Sequence, residues 1–173
     1  RPKRDCGWVM APLKTKGDLA ELKVATDLLE RGYRIALPYG EDNDFDLILI
    51  RDESLERVQV KYTESDGAVI LVRCKSASLT NGKVRKYKRY TRETIDWLAV
   101  YDKTSDRCYY LPALELGSGR DMVSLRLTPA RNNQRLRIRF AADYVSPDIV
   151  RPEMEPAGFE PATSSVQATR STN

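Results

Sequence analysis

The stretch DFDLILIRDESLERVQVKYT, residues 44–63, decides how this chain is read. Asp46 opens a run, Leu47, Ile48, Leu49 and Ile50, that is apolar at every position, the pattern of a strand covered on both faces. Such a strand is expected at the centre of a sheet. The run RVQVKYT (57–63) then alternates, so that Val58 and Val60 share one face while Gln59 and Lys61 share the other. A carboxylate at the mouth of an apolar strand is costly unless it is paired or binds a metal, which makes Asp46 a candidate ligand.

Upstream, residues 16–31 read as a helix. Asp18 puts negative charge in the expected first turn, Gly32 supplies the stop, and Glu21, Val24, Ala25 and Leu28 recur at i, i+3, i+4 and i+7. Glu21 therefore lies on the core-facing stripe, with Lys23, Asp27 and Glu30 on the solvated side. A helix rotated to bury Leu22 and Leu29 would instead leave Glu21 in water. A short strand at 33–37, ended by Pro38, and the polar loop PYGEDND (38–44) join this helix to the deciding stretch.

Downstream, residues 68–73 are expected as a strand after a turn at Asp66 and Gly67. The segment NGKVRKYKRYTRE (81–93) is expected as loop and helix, 95–101 and 109–114 as strands, and 122–127 with 136–140 as a late hairpin-like pair. From residue 146 the composition shifts to Pro, Ser, Thr, Ala and Glu with few large apolar side chains, the signature of a disordered tail. The expected division is a basic arm over 1–15, with Met10 a candidate start, one α/β domain over 16–145, and a tail over 146–173. The sheet of that domain is expected to be mixed and flanked by helices.

Composition narrows the chemistry. A chain of 173 residues with 41% hydrophobic content suits one soluble domain, and no apolar run approaches the length of a membrane span. No secretory signal opens it, so a cytoplasmic protein is expected. Histidine is absent, and the three cysteines, Cys6, Cys74 and Cys108, lack metal-ligand spacing, which argues against zinc and imidazole chemistry. Any metal is then a hard, oxygen-loving one. The net charge of +4 understates the body, because five acidic and only two basic side chains lie beyond residue 140. Basic character of that size raises the expectation of a polyanionic partner.

Phosphodiester hydrolysis needs an activated water, a sink for charge in the transition state and help for the leaving oxygen, and a divalent cation supplies much of this. Mg²⁺ is satisfied by a few carboxylate oxygens, waters and substrate phosphate. Asp46 anchors such a site, Glu21 adds a second carboxylate from the helix, and the Val60 carbonyl is a third oxygen. Lys61 can position or deprotonate the water and steady negative charge, while Gln59 supplies an amide without charge. Plain structural readings stand beside these: Glu21 as a solvated helix residue, Asp46 as a strand-entry cap, Gln59 and Lys61 as the wet face of a strand.

These residues resemble the PD-(D/E)XK nucleases, and within them the group I intron-associated homing endonucleases with a QxK form of the third motif. Phe45 and Asp46 take the place of the Pro-Asp pair, and Gln59, Val60 and Lys61 that of (D/E)XK; the later IDWLAVYD and CYYLPALEL resemble the core strands that follow the site. The resemblance implies a restriction-endonuclease-like core, Mg²⁺-dependent cleavage of double-stranded DNA, and a homo-oligomer, dimer or tetramer, because one site cuts one strand. It leaves two rivals, a Holliday-junction-resolvase-like nuclease and a catalytically silent DNA-binding module, the latter because Gln59 replaces an acid. Arg73, Lys75, Lys83, Arg85, Lys86, Lys88 and Arg89, interleaved with tyrosines, are the candidate DNA contacts. A second basic strand, RLRIRF (135–140), offers Arg135, Arg137 and Arg139 for the same purpose.

Overall fold

Helix α1 (Leu13–Glu30) buries Ala20, Val24 and Leu28 completely, while Leu22 and Leu29 stay 67% and 55% exposed. The rotated helix is thus excluded, and Glu21 sits at the edge of the buried stripe. The computed structural model describes residues 13–40, 43–52, 54–80, 83–129 and 138–148. The helix begins earlier than expected, which moves Asp18 out of the first turn; that turn holds no acid. It ends where Gly32, at φ +85°, lets the Gly32 N–H reach the Leu29 carbonyl (2.9 Å) and the Tyr33 N–H reach that of Leu28 (3.0 Å). Lys23 and Asp27 are not simply solvated. Lys23 pairs with Asp106 at 2.9 Å, and Asp27 binds Arg31 and accepts the Tyr110 hydroxyl at 2.6 Å, tying the helix to the sheet.

Five strands form the main sheet in the order β1 (Arg34–Ala36), β2 (Leu47–Arg51), β3 (Ser54–Thr63), β7 (Trp97–Asp102), β8 (Arg107–Pro112). Only the β3–β7 pair is parallel, so the sheet is mixed. The central strand is β3, not β2. In β2 Leu47 and Leu49 are buried under α1, but Ile48 and Ile50 are only partly covered, which corrects the expectation of a strand packed on both faces. Apolar residues on both sides do not require two covering layers, since a half-exposed isoleucine is a common and inexpensive occurrence.

The chain passes from β3 to its parallel neighbour β7 through more β structure. β4 (Val69–Arg73) pairs antiparallel with β9 (Met122–Arg126), and β5 (Lys75–Thr80) with β6 (Lys83–Arg89). The β4–β9 ribbon lays Ile70, Val72, Val123 and Leu125 on Leu98, Val100, Tyr109 and Leu111, so this face of the sheet is covered by strands where α1 covers the other. Residues 83–89, expected as part of a loop and helix, are a strand. Of the expected hairpin of 122–127 with 136–140, β9 pairs instead with β4, and the described end of the second segment makes a parallel bridge from Phe140 to Arg126, while residues 130–137 lie outside the described part.

The proposed tail starts close to the body. Arg51 donates to Asp148 (2.9 Å) and to the Pro147 carbonyl (2.8 Å), and Pro147 is buried, while residues 149–173 lie outside the described part. We expect removal of 149–173 to leave the thermal midpoint in place, because that segment is short of large apolar side chains. A chain stopped at Val145 loses the Arg51 contacts and should melt lower by about 2–4 °C, the shift that about 1 kcal/mol produces at this size. Calorimetry of the two truncations checks both, and a large loss from the first would move the domain boundary.

Candidate active site

The β2–β3 ladder stops at the Leu47–Val58 pair, so no strand residue stands opposite Val60. Asp46 fills that gap. Its backbone N–H extends the ladder to the Val58 carbonyl (2.9 Å), and its side-chain oxygen accepts the Val60 N–H at 2.7 Å. The Gln59 amide, on a residue only 7% exposed, donates to the same carboxylate oxygen and to the Val60 carbonyl at 3.2 Å. A loop residue, two successive residues of the central strand and an unladdered carbonyl are therefore knitted together at one end of β3.

Strand parity places Lys61 beside Gln59 on the face away from α1, because Gln59 and Lys61 are in register with Leu98 and Val100 of that face. The Lys61 ammonium lies 5.0 Å from the centroid of the Tyr90 ring, a buried residue just beyond β6. Sequence reasoning missed Tyr90, since nothing local links it to a lysine on β3.

Electrostatics couple the two carboxylates. Burial raises the pKa of Asp46 above the ordinary range, opposed by the Val60 N–H, the Lys61 charge and the Gln59 amide. Glu21 is also raised, first by burial and then by the negative charges of Asp46 and Asp18, with Lys61 pulling the other way. Glu21 thus senses the charges of Asp46 and Lys61, and Asp46 senses that of Lys61. Among the described residues no group of three Asp, Glu, His or Cys side chains could hold a metal. The candidate oxygen donors are the Asp46 and Glu21 carboxylates and the Val60 carbonyl, the last already accepting the Gln59 amide.

A raised carboxylate means that the native state binds its proton more tightly than the unfolded chain, so stability falls as pH rises from the ordinary carboxylate range through the raised folded values. We expect metal-free Asp46→Asn to melt above the wild type at about pH 8, with the gap closing toward about pH 4 as the wild-type carboxyl protonates. Mg²⁺ should raise the wild-type midpoint and leave that of the variant unmoved, since only a ligand bound to the native state shifts it. Differential scanning calorimetry at the two pH values checks this, and equal midpoints throughout would remove the stated burial cost.

The basic segment is a hairpin, and its root is held by the body. Lys75 (2.8 Å) and Arg89 (2.9 Å) both bind Asp121, and Lys88 pairs with Asp44, two residues before Asp46. Arg73 is exposed at the end of β4, and Lys83, Arg85 and Lys86 lie on β6. Arg139, expected on an open basic strand, is tied to Glu115 at 2.9 Å, while Arg135 and Arg137 fall outside the described residues.

A sequence model of the PD-(D/E)XK endonucleases matches residues 12–147. The chain belongs to the PD-(D/E)XK endonuclease family. A solved structure entitled "The structure of a bacterial homing endonuclease: I-Ssp6803I" is similar to this PD-(D/E)XK chain at a TM-score of 0.61 and 21% identity. That similarity covers 78% of the present chain and 88% of the other. Such a likeness establishes the shared restriction-endonuclease-like α/β fold. No curated protein matches the sequence. Among the described residues of this endonuclease, no helix is long and apolar enough to cross a membrane.

Proposed function

We propose that this endonuclease hydrolyses double-stranded DNA with Mg²⁺ at a specific site, in the manner of an intron-homing enzyme, with Glu21, Asp46, Gln59 and Lys61 as its working residues. The observation that carries the reading is Asp46, fixed by the Val60 N–H and the Gln59 amide, raised in pKa by burial, and within electrostatic reach of Lys61. An all-oxygen donor set, without imidazole or thiolate, fits a hard cation, so Asp46, Glu21 and the Val60 carbonyl would hold Mg²⁺. When bound, that ion supplies Lewis acidity and an acidified water. The protein's own part is positional. Gln59 locks the Asp46 rotamer, and Lys61, steadied on Tyr90, holds the attacking water in line and balances negative charge on the phosphoryl oxygens.

One such site cuts one strand, so a symmetric pair of subunits is proposed for the duplex cut. The homing character is supported by the likeness to I-Ssp6803I, whose title names it a homing endonuclease. Incubation of supercoiled plasmid and of a synthetic four-way junction, with Mg²⁺ and with chelator, tests the reading. Metal-dependent linearisation of plasmid is expected. Cleavage confined to the junction would favour a resolvase, and binding without cleavage a silent DNA-binding module.

A further inference from the structure

We infer that a groove of about 670 Å³ beside Lys61 is the seat of the phosphodiester backbone flanking the scissile bond; this rests on the endonuclease reading above. Its walls carry four cations, Lys14, Lys61, Arg73 and Lys75, together with Tyr62 and Ser76, and no carboxylate. The cations come from three separate parts of the fold: the first turn of α1, the central strand, and the β4–β5 corner. Their convergence is thus a product of tertiary structure and not of a local run of charge.

Several cations of the molecule are neutralised by carboxylates. Lys16 binds Glu64, Lys23 binds Asp106, Arg57 binds Asp96, and Lys75 itself reaches Asp121. Among the described residues, Lys14, Lys61 and Arg73 form no ion pair with a carboxylate. Lys14 also sits in a helical first turn that lacks any acid, where the backbone dipole disfavours a cation. Concentrated, mutually repelling charge of this kind is unfavourable for the folded protein alone and becomes favourable when an anion enters. The groove is lined partly by Tyr62 and by Leu71, which is 53% exposed, so an apolar surface lies beside the cations and suits a polyanion with apolar sugar edges. Lys61 belongs both to this groove and to the site around Asp46, so a strand lying in the groove would arrive at the reacting centre already in register.

The test is a salt titration of binding to a fluorescein-labelled duplex of random sequence, followed by anisotropy, with chelator present so that nothing is cut. Lys14→Ala and Arg73→Ala should each lower the slope of log affinity against log salt by about 0.9, and together by about twice that. Lys14→Arg should restore the wild-type slope. Arg34→Ala, exposed on the far edge strand, should leave it unchanged. Unaltered slopes in both groove variants, or an equal loss in Arg34→Ala, would overturn the groove. If these slopes stay unaltered while the wild type binds duplex and nicks plasmid with Mg²⁺, only the groove fails; if the wild type does neither, the endonuclease reading fails with it.

Discussion

Replacing Asp46 with alanine is expected to reduce plasmid cleavage to background while leaving duplex affinity close to the wild-type value. The carboxylate accepts the Val60 N–H and the Gln59 amide, yet it pairs with none of the hairpin cations proposed to contact DNA. Its removal takes away the proposed metal anchor and frees Gln59 to turn away from Val60. The affinity follows from cations, which remain, so binding and turnover separate. Single-turnover cleavage and anisotropy on the same preparation check it. Cleavage by the variant at near the wild-type rate would place the chemistry elsewhere, and a matching loss of binding would make Asp46 a folding residue.

Lys61→Ala should slow single-turnover cleavage by about two to four orders of magnitude, the usual contribution of a group that handles a proton or charge in the transition state. The geometry gives the reason. Lys61 is two residues from Gln59 on one face of β3, and Tyr90 holds its ammonium 5.0 Å from the ring centroid, which limits where that charge can go. Tyr90→Leu keeps the apolar bulk but removes the ring, and is expected to lower the rate more modestly while Lys61→Arg recovers little, since a planar fork cannot take the place of a compact ammonium. A loss below about tenfold in Lys61→Ala would leave it a surface cation.

Much of this arrangement was legible in the order of residues because it depends on short-range periodicity. Alternation in RVQVKYT put Gln59 and Lys61 on one face, and the i, i+3, i+4, i+7 spacing put Glu21 next to Val24 and Leu28; both follow from the pleat of a strand and the pitch of a helix. The family membership and the α/β fold accord with that reading. What escaped was set by distance. Lys61 meets Tyr90 and Lys75 meets Asp121 across long separations that no local pattern encodes. The β5–β6 hairpin was misread: Asn81-Gly82 is a hairpin-turn dipeptide, but its flanks lack the strict apolar alternation that makes the signal strong, and a dense series of Lys and Arg resembles a charged helix. The apolar run of β2 misled in the opposite sense, suggesting a central position where the strand has one covered face.

The hairpin leaves the fold at Cys74 and returns at Tyr90, and the Tyr90 N–H closes the circuit by binding the Cys74 carbonyl at 3.0 Å. Both residues are buried, so the neck of the excursion belongs to the core, whereas the excursion itself adds no strand to the sheet that carries Asp46. The order of the five-stranded sheet is therefore set without the hairpin strands, which are anchored to the body through Lys75, Lys88 and Arg89. The parallel register of β3 and β7, and with it the spacing of Gln59 and Lys61, is fixed on the far side of the neck.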